Sequence, residues 1–378
     1  MAVLLSISVL LTVVYALLML TYRKGWDKQP GFVIKDGYIP VTRISVIIPA
    51  RNEEANIGKC LEAILQQCYP KDLFEIIVID DYSTDNTVRI VNGFNQVNVR
   101  CIRMADYPDE QTVAFKKKAL FIGITHSSGE LIVTTDADCF MGREWLKHIA
   151  AIYEKEKAVM IVAPVDFISD GSIVQTFQSL DFLSMQGITA ASHKLGLGNM
   201  SNGANLAFSR KAFDEVGGYE GIDHLASGDD FLLMMKMKQK YPHGISYLKS
   251  KEAIVHTLPQ PSWGSFFQQR IRWASKSGKY NDKKLTAILM LVYLFNLSFL
   301  VLAIAGFTDH FCWIIGLVIQ ALKIEVELFY LYPVAKFFNK QKQLWVFPLL
   351  QPVHIVYIIL AGFLGFIGVY KWKGRVVR

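Results

Sequence analysis

Residues 44–87 read ISVIIPARNEEANIGKCLEAILQQCYPKDLFEIIVIDDYSTDNT. Two short apolar runs, Ile44–Pro49 and Glu75–Asp80, flank Glu54–Gln67, in which apolar residues recur at helical spacing. Apolar runs of about four to eight residues bounded by polar turns are typical of buried strands. The segment therefore predicts a strand, a helix and a second strand, which is the repeating unit of a parallel sheet.

The same alternation continues toward the C-terminus. Asn98–Arg103 and Glu130–Asp136 are two further predicted strands, and Thr84–Gly93 and Lys116–Thr125 have helical spacing. We therefore expect an α/β domain with a Rossmann-like, mostly parallel sheet and helices on both faces. Ligands of such sheets bind at the carboxyl ends of the strands, near the point where the strand order reverses.

The composition combines a polar domain with membrane segments. The 378-residue chain is 52% hydrophobic, with a mean hydropathy of +0.28, yet 19% of its residues are charged. A globular domain flanked by membrane helices accounts for both values. The formal net charge is +7, and basic residues cluster beside apolar runs at Arg23 and Lys24, at Lys276–Lys284 and at Lys371–Arg378. Membrane lipids are therefore the expected partner, and nucleic acid is not, because the polar part has no basic stripe interleaved with aromatics.

Apolar segments near both ends predict transmembrane helices. Ala2–Tyr22 is uncharged and long enough to span a bilayer. It has no basic residue before it and no small-residue cleavage site after it, which favours an uncleaved anchor over a signal peptide. Arg23 and Lys24 follow it, so the positive-inside rule predicts a cytoplasmic polar domain in a multi-pass membrane protein. Three further apolar segments follow, at Leu285–Gly306, Phe311–Ala335 and Leu344–Tyr370.

These spans leave one question of topology open. If all three C-terminal segments cross, the basic tail ends outside, against the positive-inside rule. We therefore expect one of them to be re-entrant or interfacial. The predicted organisation is an anchor at residues 1–25, an α/β domain at 26–250, interfacial helices at 251–284 and a membrane region at 285–371.

The five cysteines predict no disulfide framework. They are Cys60, Cys68, Cys101, Cys139 and Cys312, with no CxxC pair and no histidine at zinc spacing. Reduced cysteines in the core agree with a cytoplasmic domain.

A DxD sequence, Asp136-Ala137-Asp138, ends the fourth predicted strand. Side chains two positions apart in extended backbone share a face, so both carboxylates should point the same way. This pair suits Mg²⁺ or Mn²⁺, since such cations take hard oxygen ligands and also bind diphosphates. An ordinary loop pair is the alternative, but the position after an apolar strand favours a metal.

Adjacent carboxylates, Asp80 and Asp81, end the second strand. Such a pair is costly unless something satisfies it. Capping of the next helix by Ser83 or Thr84 explains the hydroxyls and leaves the carboxylates unexplained, which favours recognition of a nucleobase or ribose. Glu53, after the first strand, is a second candidate for the base pocket, beside the alternative of a simple helix start.

Two further polar motifs lie downstream. Lys116, at a predicted helix start, is a candidate for binding phosphates, with a solvated face as the alternative. Asp229 and Asp230 precede a predicted helix, where they are either partners of the helix dipole or, for one of them, a general base.

The sequence QRIRW occupies Gln269–Trp273, in a helical stretch just before the membrane. Snorkelling arginine and interfacial tryptophan are one explanation of it. Arg270 and Arg272 cannot share one helix face, however, so we expect at least one to point into the protein.

Taken in order, these motifs resemble those of the family 2 glycosyltransferases, inverting enzymes with a GT-A fold. The matching sequences are IIPARNEE, VIDDYSTDNT, KKKAL, TTDAD, GAN, GDD and QRIRW, over Ile44–Trp273. The resemblance implies a nucleotide-sugar donor, a divalent cation and a lipid or glycan acceptor. On the donor side it implies that Asp81, with Asp80 beside it, recognises the base, that Asp138 holds the metal, and that Asp136 contacts ribose or metal.

On the acceptor side, the resemblance implies that Asp230 is the catalytic base and Asp229 its neighbour, which is usually glutamate in the family. Gln269, Arg272 and Trp273 match its QxxRW motif, which contacts the diphosphate and lines the acceptor site.

QxxRW is associated with processive cellulose, chitin and hyaluronan synthases, but the gating loop that follows the motif in those enzymes is missing after Trp273. The layout is more similar to ceramide glucosyltransferases. We therefore expect transfer of one sugar, from a UDP-sugar, to a lipid or lipid-linked acceptor, with a processive polysaccharide synthase as the alternative.

Overall fold

The structure is a computed structural model that describes residues 1–107, 113–198, 200–225, 228–275, 282–367, 370–372 and 375–377. Four basic residues of the clusters noted above, Lys276, Lys279, Lys373 and Arg378, lie outside these ranges. The chain divides into an α/β unit, Pro30–Ile168 with Met200–Leu258, and a helical unit, Met1–Gln29 with Ser169–Asn199 and Pro259–Arg378.

The described residues form twelve α-helices, numbered here along the whole chain. They are α1 Ala2–Lys28, α2 Ile57–Leu65, α3 Thr87–Asn92, α4 Phe115–Thr125, α5 Trp145–Glu156, α6 Ile173–Leu195, α7 Arg210–Glu215, α8 Phe231–Lys240, α9 Trp263–Ala274, α10 Lys283–Ala305, α11 Phe311–Phe337 and α12 Phe347–Ile367.

Ten strands belong to the α/β unit, and a short β11–β12 pair follows α12. The strands are β1 Ile44–Ala50, β2 Phe74–Asp80, β3 Val99–Arg103, β4 Leu131–Thr134, β5 Phe140–Met141, β6 Met160–Val162, β7 Val165–Phe167, β8 Leu206–Ser209, β9 Ile245–Tyr247, β10 Val255–Thr257, β11 Tyr370–Trp372 and β12 Arg375–Val377.

The main sheet has the strand order β3-β2-β1-β4-β8-β6-β9. Its pairings are parallel except for those of β8, which runs antiparallel to both β4 and β6. The central strands are largely apolar and almost entirely buried, as expected of a sheet covered on both faces. The predicted α/β class, its mostly parallel sheet and its first four strands are therefore confirmed.

The strand order reverses between β1 and β4. From β1 the chain moves outward through β2 to β3 and then returns to place β4 on the other side of β1. Such a reversal opens a crevice at the carboxyl ends of the two strands. The antiparallel register of β4 with β8 pairs Thr134 with Leu206, so the residues after β4 and those before β8 meet at this same edge.

In the helical unit, α1 and α11 run in the same direction. The Tyr15 hydroxyl donates to Glu327, and Trp26 near the end of α1 contacts Phe337 at the end of α11. The inserted helix α6 approaches α1 closely, since a Cβ on Gly25 would lie 2.9 Å from that of Ala191.

Among the described residues, three helical segments are long and apolar enough to cross a membrane: Ala2–Lys28, Lys283–Ala305 and Gln341–Gly365. Segments near the N-terminus and in the C-terminal region were both predicted. The insertion of Ser169–Asn199 into the helical unit has no counterpart in the predicted segments, because that stretch lies inside the predicted 26–250 domain.

The half-buried carboxylate of Glu75 accepts hydrogen bonds from several segments at the edge of the sheet opposite the crevice. One oxygen accepts the Ser45 hydroxyl at 2.7 Å and the Ser128 backbone N–H at 2.6 Å, and the other accepts the Arg100 guanidinium at 2.6 Å. Burial raises the pKa of Glu75, but these donors lower it further, so the net pKa lies below its ordinary value.

We expect Glu75→Gln to destabilise the α/β unit by about 1–3 kcal/mol, because a charged acceptor of several donors is lost. A depressed folded pKa stabilises the fold above the unfolded pKa of about 4.3, and this contribution disappears as the pH falls. Thermal unfolding of the purified protein in detergent, at pH 7 and pH 4, should show a smaller pH effect in the variant. Glu62→Gln, on the exposed side of α2, is the control. Equal pH effects in wild type and Glu75→Gln would contradict the assignment.

Candidate active site

The loops after β1 and β2 are folded against each other. Asn52 and Tyr82 both have positive φ, 52° and 54°. The Asn52 backbone N–H donates to the Ser83 hydroxyl at 3.0 Å, and its side-chain oxygen accepts the Thr84 N–H at 2.8 Å. Ser83 and Thr84 therefore bridge the two loops, and they do not cap α3, which begins at Thr87.

Asp80 and Asp81 are both buried at the end of β2. Asp80 accepts the Ser83 backbone N–H at 3.1 Å. The Arg51 guanidinium lies 3.8 Å from the Asp81 carboxylate and donates to the Asp81 carbonyl at 2.8 Å. Arg51 therefore offsets part of the cost of burying this carboxylate, a partner that sequence reasoning missed.

Glu53 is half-buried in the loop that precedes α2. Its backbone N–H donates to the Thr87 hydroxyl at 2.8 Å, and its carboxylate accepts the Asn56 side chain at 3.2 Å. These bonds hold the loop in an irregular conformation, and α2 begins only at Ile57, three residues after the predicted start. Glu53 thus lies in a loop at the strand edge and outside the helix.

The DxD residues lie in a turn after β4, which ends at Thr134, two residues before the predicted end of the strand. Asp136 and Asp138 are partly exposed, whereas Ala137 and Cys139 between and after them are buried. Burial, followed by the carboxylates of Asp136 and Asp138, raises the pKa of the Cys139 thiol. All five cysteines of the chain are free.

Lys116 connects the DxD sequence to the downstream acidic pair. Its ammonium lies 2.7 Å from Asp136 and 3.5 Å from Asp229. Burial lowers its pKa, but the carboxylates of Asp136, Asp229 and Asp230 raise it further, so the net pKa is above the ordinary value. Lys116 is therefore a firmly charged cation, whereas its neighbour Lys117 is buried and donates to the Leu225 carbonyl.

Asp230 is fixed by two backbone donors. One oxygen accepts the Phe231 N–H at 2.7 Å at the start of α8, and the other accepts the Gly203 N–H at 3.0 Å. A Cβ on Gly203 would lie 3.2 Å from the Asp229 carboxylate and 3.5 Å from the Lys116 ammonium. The glycine thus lets the backbone approach both carboxylates, and its neighbour Asn205 is a buried structural residue bonded to Trp145.

Two carboxylates at this edge fit a divalent cation. Within the described ranges, no cluster of three or more histidine, cysteine or acidic side chains is arranged to hold a metal. Mg²⁺ nevertheless needs only one or two protein carboxylates when substrate phosphates and waters complete its coordination. Asp136 and Asp138 follow β4 at this edge and are both partly exposed, so they can supply two such carboxylates.

The QRIRW sequence lies on α9, in the helical unit. Arg270 is the inward-pointing arginine, with an exposure of 3%, while Arg272 and Trp273 are half-buried. The expectation that one arginine points inward is confirmed. The partner of Arg270 is Asp181 on α6, at 2.7 Å, and nothing in the sequence around Asp181 indicates this contact.

The structure thus brings most predicted residues of the α/β unit to one sheet edge. Asp80 ends β2, Asp81 follows it and Glu53 follows β1. Lys116, Asp136, Asp229 and Asp230 form one charged cluster, and Asp138 lies two residues after Asp136 in the same turn. Gln269, Arg272 and Trp273 belong to the helical unit, and their part in donor or acceptor binding stays a prediction. Ser227, which precedes the acidic pair in the sequence, lies outside the described residues.

Known proteins share both the sequence pattern and the fold. Residues 45–217 match the sequence model of the family described as Glycosyl transferase family 2. Glycosyltransferase AglE of Haloferax volcanii is 30% identical over 189 residues, covering 50% of this chain and 58% of AglE. Probable glycosyltransferase YdaM of Bacillus subtilis is 27% identical over 295 residues, covering 76% of this chain and 67% of YdaM.

A solved structure supports the GT-A fold. The mannosyltransferase PcManGT of Pyrobaculum calidifontis, solved with GDP-Man and Mn²⁺, superposes with a TM-score of 0.60 at 20% identity, covering 95% of this chain and 98% of the other. AglE is matched over only 58% of its length, so the likeness to it concerns part of that protein. Residues 45–217, a little under half of the chain, therefore form a glycosyl transferase family 2 domain.

Proposed function

We propose that this chain transfers a single sugar, with inversion, from a UDP-sugar to a lipid or lipid-linked acceptor at the cytoplasmic face of a membrane. The observation that carries the proposal is the cluster at the strand edge, where Lys116 lies between a DxD carboxylate and the acidic pair before α8. The apolar helices α1 and α10 in the same chain support an acceptor that resides in the bilayer.

The donor would bind along the carboxyl ends of β2, β1 and β4. Asp80, Asp81 and Glu53 are the proposed contacts for the base and ribose, because each follows one of these strands. Asp138 and Asp136 would hold Mg²⁺ or Mn²⁺, which supplies charge neutralisation for the leaving diphosphate. Gln269, Arg272 and Trp273 are the proposed contacts for the diphosphate and the acceptor, by analogy with the QxxRW motif of the family.

Asp230 is the proposed general base. It would take the proton of the acceptor hydroxyl, whose oxygen attacks the anomeric carbon from the face opposite the diphosphate. The bond between the anomeric carbon and the diphosphate oxygen then breaks, and its electron pair leaves with the nucleoside diphosphate. The two backbone N–H donors fix the carboxylate, and a fixed geometry is what positioned base catalysis requires.

Contacts within the helical unit also support a topology. The start of α10 lies near the end of α6, since Gly198 approaches Leu285, and the end of α12 lies against the end of α9, since Gly365 approaches Ala274. We propose that α1, α10 and α11 cross the membrane and that α12 enters and returns on the cytoplasmic side. The basic tail then stays inside, in agreement with the positive-inside rule.

The charges of α11 are compatible with a crossing helix. The Lys323 ammonium is buried and lies 2.7 Å from Glu327, and the Gln351 side chain donates to the same carboxylate at 2.8 Å. Charged side chains in membrane helices are tolerated when they pair within the bundle.

Membranes that contain the protein should transfer label from one UDP-sugar into the lipid extract. The assay uses a panel of labelled UDP- and GDP-sugars, because the fold neighbour holds GDP-Man. Excess chelator should abolish transfer, and Mg²⁺ or Mn²⁺ should restore it. Asp138→Asn should be inactive even with metal, while Glu62→Gln should be fully active. Label in a long polymer would favour a processive synthase, and full activity in chelator would refute the metal site.

Replacing the acidic pair one residue at a time tests the base. Asp230→Asn keeps the shape and the helix cap, since asparagine is also a good N-cap. We expect kcat to fall by about 10²–10⁴-fold with UDP binding unchanged. Asp229→Asn should be milder. If Asp230→Asn turns over normally and Asp229→Asn is inactive, the general base is Asp229.

Labelling with a membrane-impermeant thiol reagent in intact cells tests the topology. A cysteine introduced at Thr308, between α10 and α11, should be labelled. Cysteines introduced at Lys155 on α5 and after Val377 should be labelled only after permeabilisation. Labelling at Lys155 in intact cells would exclude a cytoplasmic α/β unit. If the cysteine after Val377 is labelled in intact cells and the one at Lys155 is not, α12 crosses the membrane.

A further inference from the structure

The helical unit contains a buried ion pair that the proposed reaction does not use. Asp181 on α6 and Arg270 on α9 have exposures of 7% and 3%, and their charged atoms are 2.7 Å apart. The approach lacks in-line hydrogen-bond geometry, because among the described residues the three guanidinium nitrogens and the facing Asp181 oxygen have no hydrogen-bond partner. Charge attraction therefore dominates this contact. Removing two charges from water costs free energy, which the pair recovers only when its geometry is specific.

The guanidinium of Arg270 also lies over an aromatic ring of the QxxRW motif. Its central carbon is 4.2 Å from the centroid of Trp273 and 4.8 Å from that of Phe266. Trp273 lies three positions after Arg270, on the same face of α9, so the two side chains are neighbours. A guanidinium over an indole is a favourable cation–π geometry, and its planar shape restricts the rotation of the ring.

Asp181 is itself held in place from the other side. The Tyr357 hydroxyl on α12 donates to one carboxylate oxygen at 3.0 Å, and Arg270 faces the other oxygen. His354 lies 3.8 Å from the same oxygen as Tyr357. The contacts thus form a chain from α12 through Asp181 to Arg270 and then to the indole.

We propose that Asp181 and Arg270 are positioning residues that fix the indole of Trp273 for the acceptor. The proposal rests on the proposed function, in which Trp273 serves the reaction. Trp273 is half-buried, and its other aromatic neighbour, Phe182, has its ring centroid at 6.3 Å in a tilted arrangement. Arg270 makes the closer contact with the ring, so it determines the orientation of the indole more strongly.

A spectroscopic experiment tests the positioning without any substrate. Acrylamide quenching of tryptophan fluorescence is measured on full-length protein in detergent. The contribution of Trp273 is the difference in quenching between a protein that contains it and the same protein with Trp273→Phe. We expect Asp181→Asn to raise this contribution at least about 2-fold, because the guanidinium loses its anchor. Arg270→Lys should do the same, because an ammonium does not stack as a planar guanidinium does.

A double-mutant cycle on sugar transfer separates positioning from simple stability. We expect Asp181→Asn and Trp273→Phe each to lower kcat by about 10-fold or more, and the combined variant to be no worse than Trp273→Phe alone. The positioning proposal is wrong if the losses in kcat of the two single variants multiply in the combined variant. It is also wrong if Asp181→Asn leaves the quenching of Trp273 unchanged. Full activity of Trp273→Phe would instead refute the proposed role of Trp273, and the quenching result would then stand by itself.

Two further variants guard against unfolding. Asp181→Asn with Arg270→Gln removes both charges, leaves no unpaired buried ion, and should still loosen the indole. Tyr15→Phe removes a hydroxyl bonded to Glu327 in the second polar cluster of the same unit. It should leave both the quenching of Trp273 and kcat unchanged. If Tyr15→Phe changes them as much as Asp181→Asn does, the ion pair is merely structural and the proposal fails.

Discussion

The site depends on one cation placed between carboxylates from distant parts of the chain. Lys116 on α4 contacts Asp136, which follows β4, and Asp229, which precedes α8. Two unit charges about 4 Å apart at an effective dielectric constant of about 20 interact by about 4 kcal/mol, so unmatched carboxylates at this edge would repel strongly. The antiparallel pairing of β8 with β4 makes the arrangement possible, because it brings Gly203 to the end of β4, where the Thr134 hydroxyl donates to its carbonyl.

In the helical unit, too, charged side chains are paired, and there the pairs are buried. Asp181 with Arg270, and Lys323 with Glu327, are two ion pairs buried among its helices. Hydrophobic replacements of such pairs are often neutral or stabilising, so stability alone is a poor reason for keeping them. Charge pairs differ from apolar contacts in fixing a particular geometry. That property is useful where one aromatic ring must hold one orientation.

The sequence predicts those features that depend on local periodicity. Continuous apolar runs identify β1, β2, β3 and β4. The two-residue period of extended backbone does not apply to the DxD residues, because they lie in a turn after β4. The start of α2 is missed because the Glu53 backbone N–H donates to the hydroxyl of Thr87, a residue distant in sequence. This bond keeps the residues before Ile57 out of the helix. Arg51 and Asp181 are missed for a related reason, since their partners lie 30 and 89 residues away and no spacing rule connects them.

The two members of the acidic pair have different surroundings, and this supports different roles for them. Asp229 lies 3.5 Å from the Lys116 ammonium, so its carboxylate holds that cation at the site. Asp230 is held by the backbone N–H groups of Gly203 and Phe231, which orient it through neutral donors. A carboxylate has about four lone-pair positions, so two N–H bonds are compatible with a third bond from an acceptor hydroxyl. These contacts agree with the proposed roles, in which Asp229 holds the Lys116 ammonium and Asp230 takes the proton of the acceptor hydroxyl.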